Sequence, residues 1–223
     1  MQTSNVFREV TPLSEEDCFV IINRVKSEFS YPVHVHPEYE LNFIENGKGA
    51  RRIVGDSIEE IDDLELCLIG NETLEHAWMN YHCESNEIHE ITIQFHKDLF
   101  LGSLLNKKQF NSIAVMLENA RKGISFSREA IEEVKERLDF LNKNHSGFYS
   151  VLDLLTILYE LSLDRHSRIL CSSTFNKQDD SSESRRIQKV INFLNNNYQK
   201  EIRLVDVANH VNMSEVSFSR FMK

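Results

Sequence analysis

Three side chains in the run YPVHVHPEYELNFIENG stand at even positions: His34, His36 and Glu40. Successive side chains of an extended strand alternate between its faces, so all three are expected on one face. Two imidazoles and a carboxylate so placed can converge on one cation, and these ligand types suit Mn, Fe, Ni or Zn. A fourth candidate, His76, follows in LCLIGNETLEHAWMN, with Asn80 four residues later. Read without a metal, the same residues line an effector cavity, with Tyr39 and Trp78 offering aromatic surface to an apolar or sugar-like molecule. Aromatic residues also pack in cores, which is the plainer reading of both. His82, His89, His96 and His145 fall outside the pattern. The sequence contains no G-x-S-x-G, phosphate-binding P-loop or G-x-G-x-x-G, so an enzymatic reading rests on the metal alone and a non-enzyme is expected.

Those residues need a scaffold. Up to about His96, runs at 19–25, 41–44, 51–54, 64–69 and 88–95 are apolar or alternating and are broken by turn residues. That rhythm predicts a barrel or sandwich of short strands. Gly55-Asp56, between two of the runs, suits a two-residue hairpin turn. The period then changes. Phe110, Ile113, Leu117 and Ala120 fit a helix closed by Gly123, and Ile131, Val134, Leu138 and Leu141 fit another. Residues 150–163 are apolar nearly all the way round a third helix, which must be covered on most sides; a seam between two subunits over residues 131–163 would cover it.

Residues 171–184, CSSTFNKQDDSSES, are polar and rich in Ser and Asp, a linker by composition. The tail beyond them predicts three helices. The first turns Ile187, Val190, Ile191 and Leu194 inward. The second, over 204–211, buries Leu204, Val207, Ala208 and Val211. Asn212 suits the tight turn that follows, Ser214 can cap the third helix, and Phe218 and Phe221 face inward from it. This is the grammar of a helix-turn-helix. Glu215, Val216, Ser219, Arg220 and Lys223 form the outward face that a recognition helix presents to a major groove.

Charge divides the chain in the same place. The 223 residues carry a net charge of −10. Residues 185–223 hold seven Lys or Arg against three acids, a balance of +4, whereas residues 1–184 hold 18 bases and 32 acids, a balance of −14. The larger part would repel nucleic acid and the smaller would attract it. With 41% hydrophobic residues, 7 Gly and 3 Pro, the composition excludes a disordered or collagen-like chain. No apolar run approaches the ~18 residues of a membrane span, and residues 1–19 lack the apolar stretch of a secretory signal, so a cytoplasmic protein is expected. Cys18, Cys67, Cys83 and Cys171 stand far apart with no C-x-x-C pair, which reads as four free thiols.

The pattern of His34, His36 and Glu40 followed by Gly47, with Gly70, His76 and Asn80 later, resembles the two motifs of the cupin superfamily. In cupin enzymes the three His and one Glu hold a divalent metal inside a barrel, which would assign that role to His34, His36, Glu40 and His76. With HPEYEL, GDSIEEI and the tail IQKVINFL…LVDVANHVNMSEVSFSRFMK, nearly the whole chain resembles the AraC/XylS transcription regulators. The resemblance implies a two-part α+β fold: a cupin-like effector-sensing barrel over 1–100, a helical dimerisation region over 101–170, a linker over 171–184 and the first helix-turn-helix over 185–223. It also implies a ligand-responsive regulator that works as a homodimer and reads promoter DNA, with Val216, Ser219 and Arg220 matching contacts to bases or backbone. The family's DNA-binding module has two helix-turn-helix units, and this sequence stops at Lys223, so weak DNA binding is expected. A metal-dependent cupin enzyme and a shortened regulator that dimerises with full-length partners are the competing expectations.

Overall fold

The protein is described by a computed structural model that covers residues 6–100, 103–172, 193, 202–211 and 213–221. The chain divides into two compact units, 1–175 and 176–223. Among the described residues, eleven short strands of the first unit form two sheets. One contains β1 (Phe7–Arg8), β3 (His34–Val35), β8 (His76–Met79), β5 (Arg51–Val54) and β6 (Ser57–Glu60), in that order. The other runs β11 (Arg168–Ile169), β10 (Ile124–Ser125), β7 (Leu64–Ile69), β4 (Tyr39–Glu45), β9 (Ile88–Phe95) and β2 (Phe19–Lys26). All pairings are antiparallel except that of β1 with β3.

The expected closed barrel is not formed: no ladder joins the two sheets among the described residues. The reason is visible at β3. Its two residues lie in the first sheet, the chain crosses at His36–Glu38, and β4 begins in the second. Pro37 stands in the crossing and has no N–H to carry a ladder through it. His34, His36 and Glu40 therefore do not share one face of one strand, as their spacing suggested, but occupy a strand, a crossing and a second strand.

Three helices cover the far face of the six-stranded sheet: α1 (Asn111–Asn119), α2 (Arg128–Lys143) and α3 (Phe148–Ser162). Leu41, Phe43, Ile91, Ile93 and Phe95, at the odd positions of β4 and β9, share one core with Ile113, Leu117, Ile131, Val134, Leu138, Leu141, Leu154 and Leu158. A second core, with Ile44, Val54, Cys67, Ile69, Trp78 and Ile88, lies between the sheets. The six-stranded sheet is thus buried on both faces, which explains the nearly continuous apolar run LCLI of β7. Ser127 caps α2, its hydroxyl accepting from the Ala130 N–H at 3.3 Å. The hairpin β5–β6 turns at Gly55-Asp56 with Val54 opposite Ser57, and Gly55 takes the φ of 55° that a two-residue turn wants at its first position. Cys18, Cys67, Cys83 and Cys171 are all free. Among the described residues no helix is long and apolar enough to cross a membrane.

In the second unit, α4 (Leu204–His210) and α5 (Glu215–Phe221) meet over Val207, Ala208, Val211 and Phe218, with Phe193, Ile202 and Met213 packed against them. Leu204 is a correction: although it shares a helix face with Val207 and Ala208, it is 48% exposed, standing at the first residue of the helix. Most of the first tail helix with Ile187, Val190, Ile191 and Leu194, residues 173–184 of the linker, Asn212 and Lys223 lie outside the described residues.

Candidate functional site

The crossing of the chain between the sheets gathers the residues that the spacing singled out. His34 comes from β3, His36 from the crossing, Glu40 from β4 and His76 from β8, opposite His34 in the ladder. All four are buried, and one donor atom of each lies within 4.8 Å of the others. His36 Nε2 is 3.1 Å from His76 Nε2 and 3.1 Å from Glu40 Oε2, and His76 Nε2 is 3.8 Å from Glu40 Oε1. The Nδ1 atoms of His34 and His76 stand 2.9 and 2.8 Å from the carbonyls of Pro32 and Leu74. A carbonyl only accepts, so both Nδ1 atoms carry hydrogen, and when these rings are neutral their Nε2 lone pairs are free. His36 Nε2–H then donates into the cluster, while His36 Nδ1 is buried without a hydrogen-bond partner.

Electrostatics follow from burial. The fully buried His76 imidazole is pushed down to about 4, chiefly by loss of water and against the pull of Glu40. Burial acts the same way on His36, but the hydrogen bond and charge of Glu40, with Glu9 and Glu38 behind, overcome it and hold the ring above its ordinary value. Glu40 is opposed by its own burial, yet the hydrogen bond from His36 and the nearby imidazoles keep it far below the usual carboxylate range. The site is a buried carboxylate with imidazole around it.

This donor set fits a divalent cation. Ligands about 2.1 Å from an ion stand roughly 3 to 4 Å apart, close to the separations seen here, and the backbone carbonyls that hold two of the rings are the outer support such ligands usually have. His34, His36, Glu40 and His76 would hold the ion, with the proton of His36 Nε2 released on binding.

The cluster borders a cavity of about 40 Å³ between the sheets. Trp78 lines it, with its ring centroid 6.4 Å from that of His76 and its Nε1 unpartnered. Tyr39 does not line it. Its ring stacks on Phe95 at 5.2 Å on the helix-covered face, and a Cβ on Gly70 would stand 2.5 Å from that ring. The cause is register: Tyr39 and Glu40 are consecutive on β4 and must face opposite ways. Asn80 sits outside the cluster, where its Oδ1 accepts from the Phe29 N–H at 2.7 Å.

The sequence reading missed most of the cavity wall. Arg24 on β2, Asn42 on β4 and Glu90, Thr92 and Gln94 on β9 line it, joined by Glu9 and Tyr31. Lys26 donates to Glu90 at 2.8 Å, and Arg24 is 3.7 Å from the same carboxylate. A signal was available: in IHEITIQF every even position after Ile88 is polar and every odd one after His89 is apolar, a polar stripe on a strand too buried to face solvent.

In the second unit Ser214 Oγ accepts from the Ser217 N–H at 3.2 Å and so caps α5. The Met213 N–H returns to the Ala208 carbonyl at 2.9 Å and closes the end of α4. Glu215 is exposed and Ser219 half-buried; Val216 and Arg220 belong to α5, but their side chains, like Lys223, lie outside the described residues.

No protein-family model and no curated protein matches this chain at a significant level. Among solved structures it is similar to ToxT from Vibrio cholerae at 11% identity and a TM-score of 0.44, over 92% of this chain and 75% of that one. It is likewise similar to ToxT of Vibrio cholerae O395 bound to (E)-4-(8-methylnaphthalen-1-yl)but-3-enoic acid, at 12% identity and a TM-score of 0.43, over 92% of this chain and 76% of that one. A third, unsaturated fatty acid bound ToxT from strain SCE256, stands at 13% identity and 0.37, over 92% and 72%.

Proposed function

We propose that this protein is a ligand-responsive, DNA-binding transcription regulator of the AraC/XylS kind. The observation that carries the reading is the pair α4 and α5: two short helices about a closed turn, with a small Ala208 at their contact and Ser214 capping the second. That arrangement fits a helix-turn-helix, with α5 as recognition helix and Glu215, Val216, Ser219, Arg220 and Lys223 toward DNA. Support for a sensor comes from the first unit, where a cavity with buried, unpartnered polar atoms adjoins four buried titratable groups. The effector is a small polar molecule, such as a sugar or another hydroxyl- or carboxyl-bearing compound. Its binding shifts the protein between states that place the DNA unit differently, a coupling worth about 5- to 150-fold in affinity. The domain roles are a sensor over 1–100, dimerising helices over 101–170, a linker over 171–184 and the DNA unit over 185–223. Homodimerisation through α3 completes the reading.

Selection from a random DNA library with the purified chain tests it. A shared motif should be enriched only weakly and only at low salt, and Arg220→Ala should relax it at one base pair, since a bidentate Arg–guanine contact is worth ~1–3 kcal/mol. Binding should weaken steeply with salt. No enrichment at low salt overturns the reading.

A second reading, a metal-dependent enzyme, is favoured by the His34, His36, Glu40 and His76 cluster alone. Elemental analysis of protein purified without chelator decides whether an ion is resident: about one per chain, lost in His36→Ala, would place a metal there.

A further inference from the structure

We propose that the cavity between the sheets is a binding site for a small carboxylic acid, and that the side chain of Glu9 holds its place from within the chain. The inference rests on the sensor reading above and names the chemical class of its ligand.

Glu9 follows β1, and its carboxylate reaches the cavity wall. Tyr31 Oη–H donates to Oε1 at 3.0 Å, Gln94 Nε2–H donates to Oε2 at 3.0 Å, and His34 Nε2 lies 3.8 Å from Oε2. Two neutral donors and an imidazole around one carboxylate are the elements of a carboxylate-recognising site. Arg24 and Lys26 stand on the same wall, paired with Glu90. The acids that face it are already engaged: Glu90 takes Lys26 and Arg24, and Glu40 takes His36 and Gln94.

Other atoms of the wall remain unanswered. Trp78 Nε1–H has no acceptor, and Asn42 Oδ1 and Gln94 Oε1 have no donor, although all are buried. Leaving such atoms unmade is costly, and a ligand with polar groups beyond its carboxylate would satisfy them. The cavity as it stands, about 40 Å³, has room for roughly two or three waters and not for an organic acid. Room is made when Glu9 leaves, and its attachment is slight. The Phe7 and Glu9 N–H groups donate to the Val33 and Val35 carbonyls at 3.4 and 3.0 Å, while Phe7 is 47% and Val10 92% exposed. Few buried contacts and exposed backbone bonds mark a segment that opens at low cost.

Trp78 is the one tryptophan and lines the cavity, so its fluorescence reads occupancy. Acetate, butanoate and benzoate, each beside its primary amide, are titrated into wild type and Glu9→Ala. At least one acid should bind Glu9→Ala about ten-fold or more tightly than wild type, its amide should not bind, and Tyr31→Phe in the Glu9→Ala background should undo most of the gain. Glu9→Gln, which keeps the shape of the side chain, replaces Glu9→Ala if circular dichroism shows the latter unfolded, and it too must bind more tightly than wild type. Equal affinities in wild type and variant, equal binding of acid and amide, or no response to any of the three acids at millimolar concentration overturns the proposal. The DNA selection is independent of these titrations, so the regulator reading can survive their failure.

Discussion

Arg52 is nearly solvent-free, yet it sits on β5 between two carboxylates, donating to Glu65 of β7 and, at 2.6 Å, to Glu59 of β6. Because β5 and β7 belong to different sheets, the guanidinium bridges them. Glu65→Leu leaves the buried guanidinium with Glu59 alone, so it should lower the unfolding free energy by about 3 kcal/mol, the low end for a broken buried pair, and the double variant Arg52→Met/Glu65→Leu should recover much of it. Urea denaturation of the three proteins measures this, and a double variant no more stable than Glu65→Leu would contradict it. The thiols offer a pH test. Burial pushes the Cys171 thiol up to about 11 and Cys67 further still, while Cys18 is exposed. At pH 8 only about one Cys171 in a thousand is thiolate, so iodoacetamide should label Cys18 first and spare Cys67 and Cys171 until the protein unfolds. Labelling of Cys171 in the native state, followed by peptide mass spectrometry, should quicken about ten-fold per pH unit below 11.

At the scale of elements, α3 shows how far its composition could be read. It is apolar nearly all round, and the structure covers Leu154, Ile157, Leu158 and Leu161 with α1, α2 and the sheet. Phe148, Leu152, Tyr159 and Leu163 remain exposed in a row at helical spacing, with Tyr149 beside them. An apolar stripe of this kind marks an interaction surface, and it is the seam proposed above for a homodimer. Leu152→Glu should halve the mass seen by light scattering without lowering the melting temperature of the monomer; a wild-type monomer at micromolar concentration would refute the seam. The strand runs, the Gly55-Asp56 hairpin and the inner faces of α1 and α2 were legible because each is fixed by local periodicity. Tyr39 was misassigned because adjacency in sequence is opposition on a strand. The convergence of His34, His36 and Glu40 was anticipated for the wrong reason, since a proline crossing rather than a shared face brings them together. Glu9 and Tyr31 were invisible because nothing local ties either to the cavity.

For the whole molecule, two compact units imply two unfolding events. Trp78 reports on the first unit only, whereas far-ultraviolet circular dichroism sees the helices of both. Urea curves followed by the two signals should not superimpose; coincidence would show that the units unfold as one. The division of charge, −14 against +4, belongs to this scale too. Long-range attraction to DNA is confined to the smaller unit, and at low salt the larger one subtracts from it. Restoring neutrality to exposed acids of the first unit, for instance Glu72→Gln with Glu84→Gln, should raise DNA affinity a few-fold at low salt and leave it unchanged at high salt, as filter binding would record.

Strand β4 belongs to two neighbourhoods at once. Its even residues, Glu40 and Asn42, look into the cavity, and its odd ones, Leu41 and Phe43, look into the core shared with Leu154, Ile157 and Leu158 of α3. Any change in the cavity that tilts or shifts this strand is delivered to the helix layer one peptide away, with no chain of intermediaries. The partition between the cavity and the helix layer that carries the proposed seam is a single strand thick, and its two sides move together because they are the same backbone.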